Sequence, residues 1–140
     1  EKPGLHEFLS WLKEHSIKVA VATSTTRRVA EDYWKQSGID QYIDASVCGD
    51  EVINSKPDPE IFLKAASLLK VPIAACMVAE DSINGLKAAR AAGAISCMIP
   101  DLTPYTKELF PFCDYVSPSL LTCKEILLQT PEADKLKSWK

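Results

Sequence analysis

The chain has 140 residues, of which 46% are hydrophobic and 25% charged, and its formal net charge is -3 at pH 7. This composition is typical of one soluble globular domain, which at this length buries roughly two-thirds of the surface that the unfolded chain exposes. No apolar run approaches the roughly 18 residues of a membrane span, the N-terminal residues do not resemble a signal peptide and no basic stripe occurs, so we expect a cytoplasmic protein that binds neither membranes nor nucleic acid.

The first half of the chain alternates between amphipathic helical stretches and short apolar runs, a pattern typical of buried parallel strands joined by helices. It predicts helix, strand, helix and strand in turn, over residues 4–15, 17–23, 25–38 and 45–48. The second helix is expected to begin near Thr25 or Thr26, since threonine is a good capping residue, and to end at Gly38.

The same alternation continues in the second half. Helices are predicted over residues 58–70, over a segment rich in small residues that ends at Gly93, and over residues 119–128. Strands are predicted over residues 75–79, 94–99 and 115–116. We therefore expect one layered α/β domain over residues 1–128, followed by a polar tail over residues 129–140.

The cysteines do not form a zinc-binding pattern, because no two of them have the spacing of two to four residues that such a site needs. The five are Cys48, Cys76, Cys97, Cys113 and Cys123. Cys76 and Cys97 lie inside apolar runs, where a thiol behaves as a small hydrophobe. We expect reduced cysteines that pack rather than catalyse.

Polar residues follow three of the predicted elements, and open parallel sheets bind ligands at the carboxyl ends of their strands. The first such segment is Thr23-Ser24-Thr25-Thr26, which supplies hydroxyl and N–H groups at the start of a helix. The positive end of a helix dipole favours a phosphate there. The alternative is that this segment only caps the helix.

The second segment contains Lys56, followed by Pro57, which disfavours a helical conformation of the lysine. A lysine ammonium is a compact cation that can neutralise a phosphate oxygen without fixed bidentate geometry. The alternative is a lysine that is merely solvated.

The third segment is Glu80-Asp81, directly after an apolar run. Adjacent carboxylates at a buried strand end repel each other and lose hydration unless a cation or hydrogen bonds offset the cost. Mg²⁺, which takes oxygen ligands and keeps several waters, is a suitable partner. The alternative is that Asp81 or Ser82 caps the following helix.

Taken together, the three segments resemble the haloacid dehalogenase superfamily, and specifically its β-phosphoglucomutase-like branch. One family motif is an apolar strand that ends in Ser or Thr, here at Thr23. Another is Lys-Pro-x-Pro-x-[Ile/Tyr]-[Phe/Leu], here from Lys56 to Phe62, and a third is Glu-Asp-Ser-x-x-Gly-x-x-Ala-Ala-x-x-Ala-Gly, here from Glu80 to Gly93. The resemblance extends to about residue 128 and implies a Rossmann-like three-layer α/β/α core with a parallel sheet.

The resemblance implies a Mg²⁺-dependent phosphatase or phosphomutase that acts on a small phosphorylated metabolite such as a sugar phosphate. Thr23 and Lys56 would be catalytic, and together with Ser24 they would bind the transferring phosphoryl group. Asp81 would bind Mg²⁺, with Glu80 as a direct or indirect partner. No obligate protein partner is evident.

One departure from the family pattern concerns the nucleophile. The family attacks phosphorus with the first Asp of an Asp-x-Asp motif, and these 140 residues contain no Asp-x-Asp. In the family, that motif and the helical cap precede a Pro-Gly pair, which here is Pro3-Gly4. We therefore expect that the chain corresponds to the C-terminal part of the core and that the 140 residues alone are inactive. The strands that end at Thr23 and Glu80 should then be separated by the width of a strand or have another segment between them.

Two other functions can be weighed against this one. A non-catalytic module that binds phosphate or a protein partner is compatible with the missing nucleophile. A response-regulator receiver also combines acids, a threonine and a lysine on a parallel sheet. Its acids come first in sequence, whereas here Thr23 and Lys56 precede Glu80 and Asp81, so this possibility is set aside.

Overall fold

The computed structural model describes residues 4–99 and 107–119 of the chain. Its α-helices in this part are α1 (Leu5–Glu14), α2 (Arg27–Ser37), α3 (Glu60–Leu69) and α4 (Ile83–Ala92). Its strands are β1 (Ala20–Ala22), β2 (Ala45–Val47), β3 (Met77–Glu80), β4 (Ile95–Met98) and β5 (Tyr115–Val116). Short 3-10 turns cover Asp40–Tyr42, Gly49–Glu51, Ile73–Ala75 and Lys107–Phe112.

The predicted order of helices and strands is confirmed up to β5. Gly38 and Gly93 end α2 and α4 in left-handed conformations, with φ of 76° and 87°, as glycine allows. The predicted strand over 17–23 is longer than β1, because its partner β2 offers only three residues for pairing. The helix predicted over 119–128 and the tail over 129–140 lie outside the described residues.

All strand pairs of the described residues are parallel, and they form two separate sheets. β1 pairs with β2 in one sheet, and β3, β4 and β5 follow one another in the second. β1 and β3 do not pair with each other, and no described strand pairs with both. The expectation that the strands ending at Thr23 and Glu80 are not direct neighbours is confirmed.

Helices cover both faces of these sheets, because side chains alternate between the two faces of a strand. Val21 packs with Phe8 of α1 and Trp34 of α2 in one core cluster. Ala20 and Ala22 pack in a second cluster, which holds several buried residues of α3 and α4.

Both clusters also include residues of β3, Met77 in the first and Val78 in the second. The two sheets therefore share the same two helical layers, and the predicted α/β fold with three layers is confirmed.

The four cysteines of the described part form no disulfide. Cys48 and Cys97 are fully buried in the first core cluster. Burial raises the pKa of the Cys76 thiol to about 11, which keeps it protonated near neutral pH. These positions agree with a packing role, and Cys123 lies outside the described residues.

No helix in the described part of the chain is long and apolar enough to span a bilayer.

The sheet topology predicts weak stability for the 140 residues by themselves. In the described part, one edge of β1 and one edge of β3 are not paired with a strand. The residues of both strands are half-buried or exposed, so these unpaired edges are open to association with another chain. We expect these 140 residues, expressed alone, to aggregate or to bind a hydrophobic dye such as anilinonaphthalene sulfonate. A monomer with a cooperative melting transition and no dye binding would contradict this prediction.

Candidate functional site

The carboxyl ends of β1 and β3 border a cavity of about 280 Å³. Its lining residues are Ala22, Thr23, Ser24, Lys56, Ala79, Glu80, Asp81 and Ile99. The structure thus brings together all five residues predicted for the site from three separate segments. A smaller cavity of about 150 Å³ lies beside residues 16–19, ahead of β1, and none of the five lines it.

The segment from Thr23 to Thr26 forms the β1 side of the cavity. The N–H of Thr23 donates to the Val47 carbonyl at 3.0 Å, which extends the pairing of β1 with β2 by one residue. The Thr23 hydroxyl oxygen accepts the N–H of Thr25 at 3.2 Å. Because that oxygen is the acceptor, the hydroxyl proton is available to a ligand.

Capping of α2 differs from the prediction. Thr26 occupies the N-cap position, as expected, but its side chain makes no capping hydrogen bond. Instead the Asp50 carboxylate accepts the N–H of Arg27 at 3.0 Å. Asp50 is distant in sequence, so local capping rules could not identify it.

The loop after β2 lies directly against the Thr23–Thr26 segment. A Cβ atom at Gly49 would overlap the carbonyl group of Ser24, so only glycine fits at this approach. The N–H of Gly49 also donates to the Thr25 carbonyl at 2.9 Å. The two loops are therefore held together through their backbones.

An ion pair adds to this contact. The Arg27 guanidinium donates to both carboxylate oxygens of Glu51, through Nε at 2.8 Å and through Nη2 at 2.7 Å. This bidentate geometry is the strong form of an Arg–carboxylate pair. Spacing along the chain could not predict this pair, because 24 residues separate the partners.

Lys56 lies in a turn closed by a hydrogen bond of 3.0 Å from the Asp58 N–H to the Ser55 carbonyl. Its Nζ donates to the Ala22 carbonyl at 3.3 Å and to Glu80 Oε2 at 3.1 Å. The Lys56 side chain is only 12% exposed, so the alternative of a merely solvated lysine is wrong. One ammonium group links the ends of β1 and β3.

The loop that leads to Lys56 is anchored by Glu60 in the first turn of α3. The two carboxylate oxygens of Glu60 accept the N–H groups of Ile53 and Asn54 at 2.8 and 2.9 Å. These bonds, led by the one from Asn54, lower the pKa of Glu60. The loop is therefore held by an ionised carboxylate at neutral pH.

The two acids after β3 have different surroundings. Glu80 Oε2 accepts from Lys56, while Oε1 accepts from the Asp81 N–H at 3.1 Å and from the N–H and hydroxyl of Ser82 at 3.4 and 3.3 Å. A Cβ atom at Gly85 would overlap this carboxylate. The Ser82 hydroxyl oxygen in turn accepts the Gly85 N–H at 3.0 Å, so Ser82, rather than Asp81, caps α4.

The donor groups of Glu80 and Asp81 can be compared with the ligands that a magnesium ion takes. In residues 4–99 and 107–119, no group of three or more His, Cys, Asp or Glu could hold a metal. Mg²⁺ does not need such a group, since it binds through one or two carboxylates and keeps several waters. Three of the four donors on Glu80 bond Oε1 and one bonds Oε2, so this carboxylate is already engaged within the protein. The donor set therefore fits Mg²⁺ with Asp81 as its protein ligand and Glu80 as the residue that holds the loop.

The chain matches a known protein family. Residues 1–93 match the family model described as haloacid dehalogenase-like hydrolase. A phosphorylated carbohydrates phosphatase of Thermotoga maritima is 43% identical over 93 residues, which cover 66% of this chain and 43% of that protein. Protein CbbY of Rhodobacter capsulatus is 36% identical over 124 residues, which cover 84% of this chain and 53% of that protein.

Solved structures give the same result. A putative beta-phosphoglucomutase from Thermotoga maritima superposes with a TM-score of 0.84 at 32% identity, over 93% of this chain and 61% of that one. CbbY from Rhodobacter sphaeroides in complex with phosphate superposes with a TM-score of 0.77 at 31% identity, over 85% of this chain and 54% of that one. The chain thus spans about half the length of the relatives it matches.

The Arg27–Glu51 ion pair predicts that the stability of the folded protein depends on pH. Hydrogen bonds from Arg27, and then from the Cys48 N–H, lower the pKa of Glu51 from its ordinary 4.5 to about 2. A lowered pKa stabilises the folded state above the pKa of the unfolded chain, so this contribution is present at pH 7 and is lost as pH falls from about 4.5 towards about 2. We expect Glu51→Gln to lower the melting temperature of the full-length protein at pH 7 by a few degrees, and the difference from wild type to shrink over this pH range.

The control is Glu14→Gln, an exposed glutamate at the end of α1. Its melting temperature should follow that of the wild type at every pH. A difference between Glu51→Gln and wild type that stays constant down to pH 2 would contradict the prediction.

Proposed function

We propose, since the chain belongs to the haloacid dehalogenase-like hydrolase family, that it forms the phosphate-binding and metal-binding part of a Mg²⁺-dependent phosphatase or phosphomutase in the cytoplasm. The observation that carries this proposal is the contact of Lys56 with both the Ala22 carbonyl and the Glu80 carboxylate. The cation Lys56, the hydroxyl residues Thr23 and Ser24, and the two acids Glu80 and Asp81 all line one cavity. These are the groups that phosphoryl transfer needs, because its catalysis is mainly positioning and charge stabilisation.

Two relatives support a proposal for the substrate class. One is a phosphatase of phosphorylated carbohydrates, and a solved structure of CbbY contains phosphate. We propose a small phosphorylated metabolite such as a sugar phosphate as the substrate here. A cavity of about 280 Å³ is near the lower limit for small-molecule sites, so it suits the phosphoryl end of such a substrate.

Each residue of the site has a role in this proposal. The Thr23 hydroxyl and the Ser24 N–H donate hydrogen bonds to phosphoryl oxygens. Lys56 has three ammonium donors, of which two serve Ala22 and Glu80 in the described part of the chain, and the third neutralises a phosphoryl oxygen. Asp81 holds Mg²⁺, and Glu80 fixes both Lys56 and the loop of Asp81.

The bound Mg²⁺ would supply positive charge that offsets the phosphoryl and carboxylate charges. The in-line nucleophile is the residue that this sequence does not provide, since it has no Asp-x-Asp. We therefore propose that the 140 residues alone turn over no phosphate ester.

The absence of an Asp-x-Asp motif favours a second candidate, a module that binds phosphate or a protein partner without turnover. This second candidate would be favoured if the full-length protein binds inorganic phosphate but hydrolyses no phosphate ester.

Metal binding by Asp81 can be tested through stability. A ligand that binds only the folded state raises the melting temperature by mass action. We expect Mg²⁺ to raise the melting temperature of the full-length protein, Asp81→Asn to abolish this shift, and Glu80→Gln to retain it in weakened form. The control is Asp32→Asn, an exposed acid on α2, which should keep the full shift. A full shift in Asp81→Asn, or its loss in Glu80→Gln alone, would refute the assignment.

Phosphoryl transfer by this site can be tested through Lys56. Removal of one preorganised donor to the transition state typically lowers kcat by about 100-fold or more. We expect Lys56→Ala in the full-length protein to lower kcat for p-nitrophenyl phosphate by about 100-fold, with a smaller effect on KM. The control is Lys35→Ala, an exposed lysine on α2, which should retain wild-type kinetics. Unchanged turnover in Lys56→Ala would exclude a role in the reaction.

A further inference from the structure

The Arg27 side chain joins the start of α2, directly after the Thr23–Thr26 segment, to the loop that follows β2. Its five N–H donors all have acceptors, two of them the oxygens of Glu51. The other three bonds go to the Ser46 hydroxyl at 3.0 Å, the Ser46 carbonyl at 3.1 Å and Glu31 Oε1 at 3.2 Å. A guanidinium has no further donor, so Arg27 is fully engaged within the protein and does not bind substrate.

Arg27 and Glu51 each stand at one end of a segment that leads to a residue of the cavity. Arg27 directly follows the Thr23–Thr26 segment, whose Ser24 lines the cavity. Glu51 directly precedes the 52–55 loop, which delivers Lys56. The ion pair therefore sets where one loop lies relative to the other.

Glu51 also organises its own loop. Its Oε1 accepts the Cys48 N–H at 2.9 Å, and its carbonyl accepts from Lys64 Nζ of α3 at 2.6 Å. The tight approach of Gly49 to Ser24 lies between these contacts. A change at the ion pair would consequently move the backbone of both loops, because neither can shift without the other.

We infer that Arg27 is a positioning residue, which through Glu51 fixes the distance between the Ser24 loop and Lys56. This inference rests on the proposed function, because Ser24 and Lys56 are there assigned to the same phosphoryl group. Lysine cannot replace Arg27, since an ammonium group does not have the planar fork that serves five acceptors at once. A misplacement of about 1 Å in such a site can cost about 100-fold in rate.

The experiment compares Arg27→Lys, Glu51→Gln and the double variant in the full-length protein, with Arg28→Lys as the control. Arg28 is the exposed neighbour on the same helix, so the control makes the same chemical change outside the ion pair. The first measurement is backbone hydrogen exchange in residues 24–26 and 48–51. The second is kcat and KM for p-nitrophenyl phosphate, together with inhibition by inorganic phosphate.

We expect Arg27→Lys to increase exchange in both segments at once and to leave exchange in α4 unchanged. Its kcat should fall about tenfold or more, with weaker inhibition by phosphate. The double variant should be no slower than the slower single variant, because the two residues act as a unit. The Arg28→Lys control should match wild type in both measurements.

Exchange that rises only in residues 24–26, or in neither segment, would overturn the inference. Kinetics of Arg27→Lys equal to those of Arg28→Lys would overturn it as well. If Arg27→Lys does not fold, Glu51→Gln decides in its place, since it keeps an acceptor for the Cys48 N–H. A wild-type protein that neither hydrolyses the ester nor binds phosphate would refute the proposed function, and the exchange data would still show whether the two loops are coupled.

Discussion

The arrangement of this site depends on one partly buried cation. Lys56 and Glu80 are only 12% and 15% exposed, and a charge removed from water to that extent is costly unless it is paired and hydrogen-bonded. The Lys56 ammonium satisfies this requirement by bonding the Ala22 carbonyl and the Glu80 carboxylate together. Because Ala22 ends β1 and Glu80 ends β3, this single side chain links the ends of two separate sheets at one cavity.

The contact between Lys56 and Glu80 also gives the two adjacent acids, Glu80 and Asp81, different surroundings. Glu80 receives Lys56 on one oxygen and the loop of Asp81 and Ser82 on the other, so its charge is balanced within the protein. The repulsion that adjacent carboxylates suffer is thereby reduced, because the charge of the first acid is balanced by Lys56. Under the proposed function, Asp81 is the acid whose charge a bound cation would offset.

Features that depend on residues close together along the chain could be predicted from the sequence. Helix limits at Gly38 and Gly93 follow from local backbone preferences. Thr23 and Asp81 could be found because each follows an apolar run, and Lys56 because Pro57 follows it and its segment resembles a family motif. The partner of Arg27 could not be found, since an ion pair across 24 residues is set by the packing of loops rather than by spacing along the chain. The pairing of Lys56 with Glu80, equally distant in sequence, escaped prediction for the same reason. Sequence placed these charged residues near one site, and only the fold shows which of them bond to each other.

Two glycines explain why these long-range pairs form as they do. Gly49 lies where a Cβ atom would overlap the Ser24 carbonyl, and Gly85 lies where one would overlap the Glu80 carboxylate. At Gly49 the missing side chain lets two loops meet closely enough for Arg27 to reach Glu51. At Gly85 it lets Glu80 fold back over the start of α4, where it accepts from Ser82 and still faces Lys56. The charges hold the loops in place, but the absence of a side chain at these two positions is what lets the backbones come within reach of those charges.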